Sequence, residues 1–531
     1  MSFIERYFTM STALDASSSE RARTGAPIMS VWLLPLLRRL HFYAGLLVGP
    51  FLVVAAVTGA LYVFTPQLER VVYADALTGT ASAQPLSLDE QVDAARRSIG
   101  SPDSPVNVRP ASDGGTTRVM FADPALERGE SRAVFVDPGT GRVTGDMTVY
   151  GTSGALPLRT TIDRLHRDLL LGEPGRLYSE LAASWLWVLA LSGLCMVVLH
   201  RRRVARGRRA RVTLVPRPAE ANAYRRTRSW HTATGVWLAV GFLFLAASGL
   251  TWSAHAGENV AQLRTALNWT TPKVSTDLGG ASGGGAEDEH AGHHGHDGHQ
   301  GHQGPDDAGV QGSFDAVLAT AREAGLDSRI VELKPAAADG AAWTVSENER
   351  SWPTQVDSVA VDPQRLHVTD QVRFSEWGLP AKLTQWAIAA HMGLLFGLPN
   401  QLVLLALAAA IVVLVVSGYS MWWRRRPTRA AGVQFGPLPP RGALRATPVW
   451  AWLALGLGTV AVGLFVPLLG LSLLGFLAVD LLLGLRARRR SDGTAARVAS
   501  QERGRGGIAG ADAGEDRAPL PAPSLEGMDR G

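Results

Sequence analysis

Hydrophobic and polar positions alternate along this chain in long blocks. Uncharged apolar runs occupy about 42–64, 181–199, 232–254 and 401–421, each near the roughly 20 residues that cross a bilayer core. A fifth region, Val449 to Leu485, has room for two short spans broken near Pro467, so the pattern predicts about six transmembrane helices. Between the blocks the periodicity changes. "LSLDEQVDAARRSIG" (86–100) has helical spacing, and "VNVRP", "TTRVMFAD" and "SRAVFVDPGTGRVTGD" read as strands, the last folded at a Pro-Gly turn. The same order recurs in "SFDAVLATAREAG" (313–325), "RIVELKPA", "AAWTVSE" and "DSVAVDPQRLHVTDQVRF".

The expected fold is a membrane all-α helical bundle made from a duplicated unit, with two extracytoplasmic α+β domains. Its segments are a cytoplasmic tail (1–30), helix one (31–65), a first outer domain (66–165), a histidine segment with helix two (166–200) and a basic loop (201–228). Helix three (229–254), a second outer domain (255–390), a histidine segment with helix four (391–423), a loop (424–448), helices five and six (449–485) and a tail (486–531) follow. Arginines set the orientation, because the bias that matters lies close to the span ends. Arg38 and Arg39 precede helix one, "RRRVARGRRAR" (201–211) follows helix two, and "RRTR" (225–228) precedes helix three. "RRRPTR" (424–429) follows helix four and "RARRR" (486–490) the last. All belong in the cytoplasm, as do both termini. The N-terminus shows no cleavable signal pattern, so helix one reads as a retained anchor.

With 531 residues, 46% of them hydrophobic, the chain exceeds one domain and is too blockwise apolar for an ordinary soluble enzyme. Its net charge of +5 follows from the cytoplasmic arginines, so no nucleic-acid partner is inferred; the bilayer is the partner. Cys195 is the only cysteine. Disulfides, CxxC zinc sites, thiolate-held clusters and covalent C-x-x-C-H haem attachment are thereby excluded within one chain.

The membrane segments carry repeated chemistry. In "RRLHFYAGLLVGP" and "RSWHTATGVWLAV", His41 and His231 are each followed at i+4 by glycine, Gly45 and Gly235. Thr58-Gly59 lies 17 and 18 residues after His41, and Ser248-Gly249 lies 17 and 18 after His231. "HRDLLLG" and "HMGLLFG" repeat a second pair, His166 and His391, with Ser192-Gly193 and Ser417-Gly418 following at offsets 26 and 27. The Ser/Thr-Gly pairs read as close helix packing. By topology His41 and His231 share the inner membrane level, and His166 and His391 the outer.

A lone histidine at a helix mouth is more often a hydrogen-bonded interfacial residue than a ligand. Four at repeated offsets, paired by depth, point to two haems gripped between imidazoles, with Gly45 and Gly235 leaving room for the macrocycle. With both axial positions filled, electron transfer is the expected chemistry. His200 reads as interfacial. His255 is a weaker candidate for an outer ligand or substrate contact, because its repeat equivalent is Thr65. Met196 and Met392 read as packing, and Asp480 as a buried polar contact in the last span.

At "LHFYAGLLVGPFLVVAAVTGALYVF", "LHRDLLLGEPGR", "WHTATGVWLAVGFLFLAASGLTWS", "AAHMGLLFGLPNQ" and "SGYSMWWRRR", the chain resembles the PepSY-associated transmembrane family of iron-regulated bacterial inner-membrane proteins. Some members are dihaem ferric-siderophore reductases. The resemblance covers about 31–485 and implies PepSY-like outer domains, two b-type haems on His41, His166, His231 and His391, and a bacterial inner-membrane location. It implies a path from a cytoplasmic or quinol electron donor to a ferric chelate or siderophore outside. Two outer domains and an extra pair of C-terminal spans depart from shorter members.

An insert, "EDEHAGHHGHDGHQGHQGPDD" (287–307), places His290, His293, His294, His296, His299 and His302 among Gly, Asp, Glu and Gln. Imidazoles in such a run suit labile Cu, Zn or Ni without fixed geometry. Two other functions therefore stand beside the reductase: a non-catalytic PepSY module that binds or regulates an envelope partner, and a metal uptake factor centred on this loop. Transport alone is disfavoured because no span shows an evident break.

Overall fold

The computed structural model describes residues 28–100, 103–151, 154–204, 214–278, 312–336, 338, 340–426, 447–479 and 481–482. The histidine-rich insert with its six candidate metal ligands, Asp480 and the C-terminal tail lie outside them. The first half comprises α1 (Ile28–Val63), α2 (Thr65–Val72), α3 (Ala74–Leu77), α4 (Leu88–Ile99), β1 (Asn107–Arg109), β2 (Thr117–Phe121), β3 (Glu130–Val136), β4 (Val143–Tyr150), α5 (Pro157–Asp168) and α6 (Glu173–Val204). The second comprises α7 (Ala223–Trp237), α8 (Ala239–Thr251), α9 (His255–Ala266), α10 (Phe314–Glu323), β5 (Val331–Lys334), β6 (Trp343–Glu347), β7 (Ser358–Asp362), β8 (His367–Val372), α11 (Leu379–His391) and α12 (Leu398–Arg424). Two further apolar helices follow, α13 (Val449–Phe465) and α14 (Pro467–Val479).

Three helices are long and apolar enough to cross a membrane: Trp32–Val63 of α1, Glu173–Arg202 of α6, and α12. The helices α7 and α8, which meet at a bend of 59°, are apolar enough together to form a fourth span if the pair is counted as one. That bend corrects the expectation of unbroken spans. It has no proline at its centre; Gly235 and Gly241 flank it, the kind of residue at which helices kink. A Cβ at Gly241 would stand 2.5 Å from Leu407 Cδ2 of α12, so the turn carries α8 into a contact that only glycine admits. The helices α13 and α14 are shorter than the other spans, so length supports three to four spans among the described residues where the hydrophobic pattern suggested six.

Helix α1 packs against α6 and α12, α6 against α8, and α12 against α7. Pro50 inside α1 has no N–H for the Leu46 carbonyl one turn back. The Tyr419 hydroxyl of α12 donates to that carbonyl, and Gly49 lets the Tyr419 ring approach, a Cβ there standing 3.3 Å from it. A proline that would weaken a lone helix thus becomes an interhelical joint.

The strands form one antiparallel sheet in the order β4-β3-β2-β1-β5-β6-β7-β8. The two halves join where β1 pairs β5, with Val108 opposite Leu333. The sequence pattern predicts two separate outer units; here their sheets are continuous, because an open four-stranded half has two unpaired edges, of which β4 and β8 remain at the ends of the joint sheet while β1 and β5 meet. Each edge closes the other. One face of the sheet carries α4 and α10, with Val92, Val108, Val119, Val134, Val317, Leu333 and Val345 in a common core drawn from both halves. Alternation sends Arg118, Met120, Ala133 and Phe135 to the other face. The helix starts are exchanged as well. Asp315 accepts hydrogen bonds from Leu88 N and Asp89 N at 2.9 Å each, while Asp89 accepts from Phe314 N at 2.7 Å and from the Ser313 hydroxyl. Each half's helix dipole is capped by an acid of the other.

Candidate functional site

Boundaries drawn at 165/166 and 390/391 fall inside or at the end of short helices. Pro157 sits in the first turn of α5, which carries His166 in its last turn and stops where Leu169 turns left-handed at φ 55°. Helix α11 also has a proline, Pro380, in its first turn and ends at His391. The outer histidines therefore ride on short helices: α5 packs against α1 and α6, and α11 against α8. The inner histidines sit within α1 and α7.

All four imidazoles meet a hydroxyl, each on a neighbouring helix. His41 Nδ1 lies 3.0 Å from Ser192 Oγ, His231 Nδ1 2.8 Å from Ser417 Oγ, His166 Nδ1 2.9 Å from Thr58 Oγ1, and His391 Nδ1 2.7 Å from Ser248 Oγ. Each hydroxyl also donates to a carbonyl on its own helix: Ser192 to Leu189 O, Ser417 to Leu414 O, Thr58 to Val54 O and Ser248 to Phe244 O. A hydroxyl has one proton. With that proton directed to the carbonyl, the oxygen accepts from Nδ1–H, and the neutral ring then carries its lone pair on Nε2. The same arrangement at all four positions admits the same tautomer.

The glycines beside these hydroxyls are part of the same device. A Cβ at Gly59 would stand 3.1 Å from His166 Cε1, and one at Gly193 would stand 3.3 Å from His41 Cε1. At Gly418 the distance to His231 Cε1 is 4.0 Å, and at Gly249 the nearest neighbour is Ala183. The Ser/Thr-Gly pairs thus pack closely, as expected, and Thr58, Ser192, Ser248 and Ser417 add a hydrogen bond to a histidine that sequence reasoning did not assign. The available signal was that each recurs at a fixed offset from a histidine. Gly45 and Gly235 differ in kind. A Cβ there would touch only Leu189 or Leu414 at 3.9 Å, so packing leaves both positions room.

The inner rings of His41 and His231 face each other with centroids 6.3 Å apart and planes at 86°. His391 is flanked by Trp252, edge-on at 5.1 Å, and by Phe244 at 6.4 Å, and lies within electrostatic range of His166. The chemistry of the donor set, imidazoles in pairs with a hydroxyl at each Nδ1, suits a group that takes one imidazole nitrogen from each partner. Among the described residues no cluster of three or more His, Cys, Asp or Glu is placed to hold a metal.

His255 stands elsewhere. Its backbone N–H and that of Ala256 donate to the buried carboxylate of Glu180 at 3.1 and 3.0 Å, and its Nδ1 lies 3.3 Å from the same group. It is part of the start of α9, tied to α6. Cys195 is exposed on α6.

No curated protein matches the sequence. The family described as "PepSY-associated TM region" matches residues 38–425, a stretch containing most of the first candidate span, the other candidate spans, both sheet halves and His41, His166, His231 and His391, and the chain belongs to that family.

Proposed function

We propose that this chain is a transmembrane electron-transfer protein: His41 with His231 and His166 with His391 hold two b-type haems, and a ferric chelate of the siderophore class is reduced on the side that carries the sheet. The arginine bias at the span ends supports an inner-membrane location with cytoplasmic termini. In this reading α13 and α14 supply the fifth and sixth spans, the sheet halves are paired PepSY-like units, and a cytoplasmic donor or quinol delivers electrons to the inner pair.

One observation carries the proposal. At all four histidines a Ser or Thr hydroxyl holds Nδ1 while its own proton goes to a carbonyl, which leaves Nε2 as a ligand. Histidines kept only for packing have no need of a common tautomer. A haem with both axial positions filled supplies one-electron transfer. The chain's own residues orient the rings through Thr58, Ser192, Ser248 and Ser417, and leave space beside Gly45 and Gly235. Trp252 and Phe244 shield His391 from water.

The test is the absorption spectrum of the detergent-purified protein, oxidised and dithionite-reduced, with haem quantified per chain. Two low-spin b-type haems are expected. A haem-free protein from cells given ample haem would overturn the proposal.

A further inference from the structure

The sheet face opposite α4 and α10 contains a charge arrangement that its own ladder disfavours. Arg109 of β1 and Arg118 of β2 are direct cross-strand partners, and like charges directly opposite one another are destabilising. The duplication supplies an internal control. At the matching ladder position of the second half, Lys334 stands opposite Thr344, so the sheet closes there without a like-charge pair. The first half therefore carries Arg118 for something other than strand pairing.

Two more guanidiniums converge there. Arg159 of α5 pairs with Glu69 of α2, and Arg109 pairs with Glu332 of β5. Arg350 reaches Asn348 Oδ1 at 3.1 Å and is within electrostatic range of Glu332, Arg109 and Arg159. Arg118 donates to Gly154 O at 2.5 Å and stacks on the Phe135 ring. Among the described residues, neither Arg118 nor Arg350 makes an ion pair, and Nε of Arg159 has no hydrogen-bond partner. Asp163, also near, is engaged by Arg167 at 3.7 Å. Glu332 and Glu69, the carboxylates in electrostatic range of Arg118, are thus already engaged by Arg109 and Arg159. Burial, together with neighbouring guanidiniums, pushes Arg118 and Arg350 below their ordinary range, as expected of cations lacking counter-charge.

The location gives the excess a purpose. Tyr62 lies one turn along α1 from Thr58, the residue that holds His166, and is within electrostatic range of Arg159, Glu69 and Arg350. The cluster stands just beyond the outer histidine, between the sheet and the end of α1. We propose that Arg118, Arg350 and Arg159 form a binding site for carboxylate-type anions. Guanidinium forks match such groups bidentately, and a bound anion supplies the missing charge. Two sources share that chemistry: the propionates of a haem at His166 and His391, and an anionic ferric chelate. Only the naming of these sources rests on the proposed function; the charge excess does not.

The experiment uses the full chain in detergent, as wild type, Arg118→Gln, Arg350→Gln and the double variant. Arg132→Gln, which breaks an exposed pair with Asp146, is the control. Gallium(III) citrate, anionic and redox-inert, is titrated calorimetrically, and haem content and midpoint potentials are measured on the same samples. A loss of gallium citrate affinity of about ten- to a hundred-fold in the double variant, with haem unchanged, supports the site and identifies the chelate as occupant. Unchanged gallium citrate behaviour with one haem lost or shifted to lower potential supports the site and identifies the propionates. Wild-type values of both quantities in a folded double variant overturn the proposal. If the glutamine variants do not fold, salt decides: gallium citrate affinity that ionic strength does not weaken, or no binding at all, overturns it. A haem-free protein that still binds gallium citrate would remove the proposed function and leave this site standing.

Discussion

The inner and outer histidine pairs use the same hydroxyl device on different supports. His41 and His231 sit within helices of the bundle itself, and their rings lie 6.3 Å apart. His166 and His391 are carried by short helices that end in tight turns, with positive φ at Leu169, Leu170 and Gly172 after one and at Gly393 and Gly397 after the other. The inner pair is thus fixed by helix packing alone. The pair expected at the outer level is fixed by the joint between bundle and sheet, where side chains of the sheet side can act on it.

The largest test of that contrast is removal of the rings. His41→Ala or His231→Ala should take away the inner haem, and His166→Ala or His391→Ala the outer one, each halving the haem per chain. The outer variants should lose chelate reduction while one haem stays reducible. Loss of both haems in every variant would mean that the two levels are not independent. Next come the hydroxyls. Ser192→Ala and Ser417→Ala should weaken haem retention at the inner level only, and Thr58→Val and Ser248→Ala at the outer level only. Supporting residues of this type typically contribute about ten- to a hundred-fold in affinity, read by haem transfer to an acceptor protein.

Smaller effects separate the glycines. Gly59→Ala presses on His166 and Gly193→Ala on His41, so each should shift the spectrum of one haem and cost about 1–3 kcal/mol of overpacking. Gly45→Ala meets no close atom of the chain; its effect should appear only when haem is bound. Acid provides the mildest discrimination. Despite desolvation, hydrogen bonds from Thr80 and Gly139 hold the Asp137 carboxyl below its usual range, and backbone N–H groups of Arg365 and Gln364 do the same for Asp362. Their contribution is full above the unfolded carboxylate value of about 3.9 and is lost as pH falls through the lower folded values. Acidification should therefore loosen the hairpins β3-β4 and β7-β8 before the bundle. Hydrogen exchange that rises first in α1 or α12 would contradict this.

The offsets around the histidines were legible because a duplicated chain writes the same spacing twice. Their hydroxyl partners were written as plainly, but the contacts join residues 151, 108, 186 and 143 apart, and period alone does not say which helix faces which. The single sheet was hidden for a similar reason. Nothing in "VNVRP" or "RIVELKPA" distinguishes a solvent edge from an edge that finds its own copy. The bend between α7 and α8 gave no warning because it needs the glycine-sized gap at Leu407. The Arg109–Arg118 opposition emerges only once the β1-β2 register is known.

The exchanged caps of α4 and α10 also set a schedule. Ser313 and Asp89 are 224 residues apart, so at roughly 5–20 residues per second the ribosome takes about 10–45 s to deliver the second partner after the first. Throughout that interval the first half has β1 unpaired and α4 lacking its foreign cap. The complement of that open edge, β5 with Asp315, belongs to the second half, so a chain further along in synthesis carries it and one at the same stage does not.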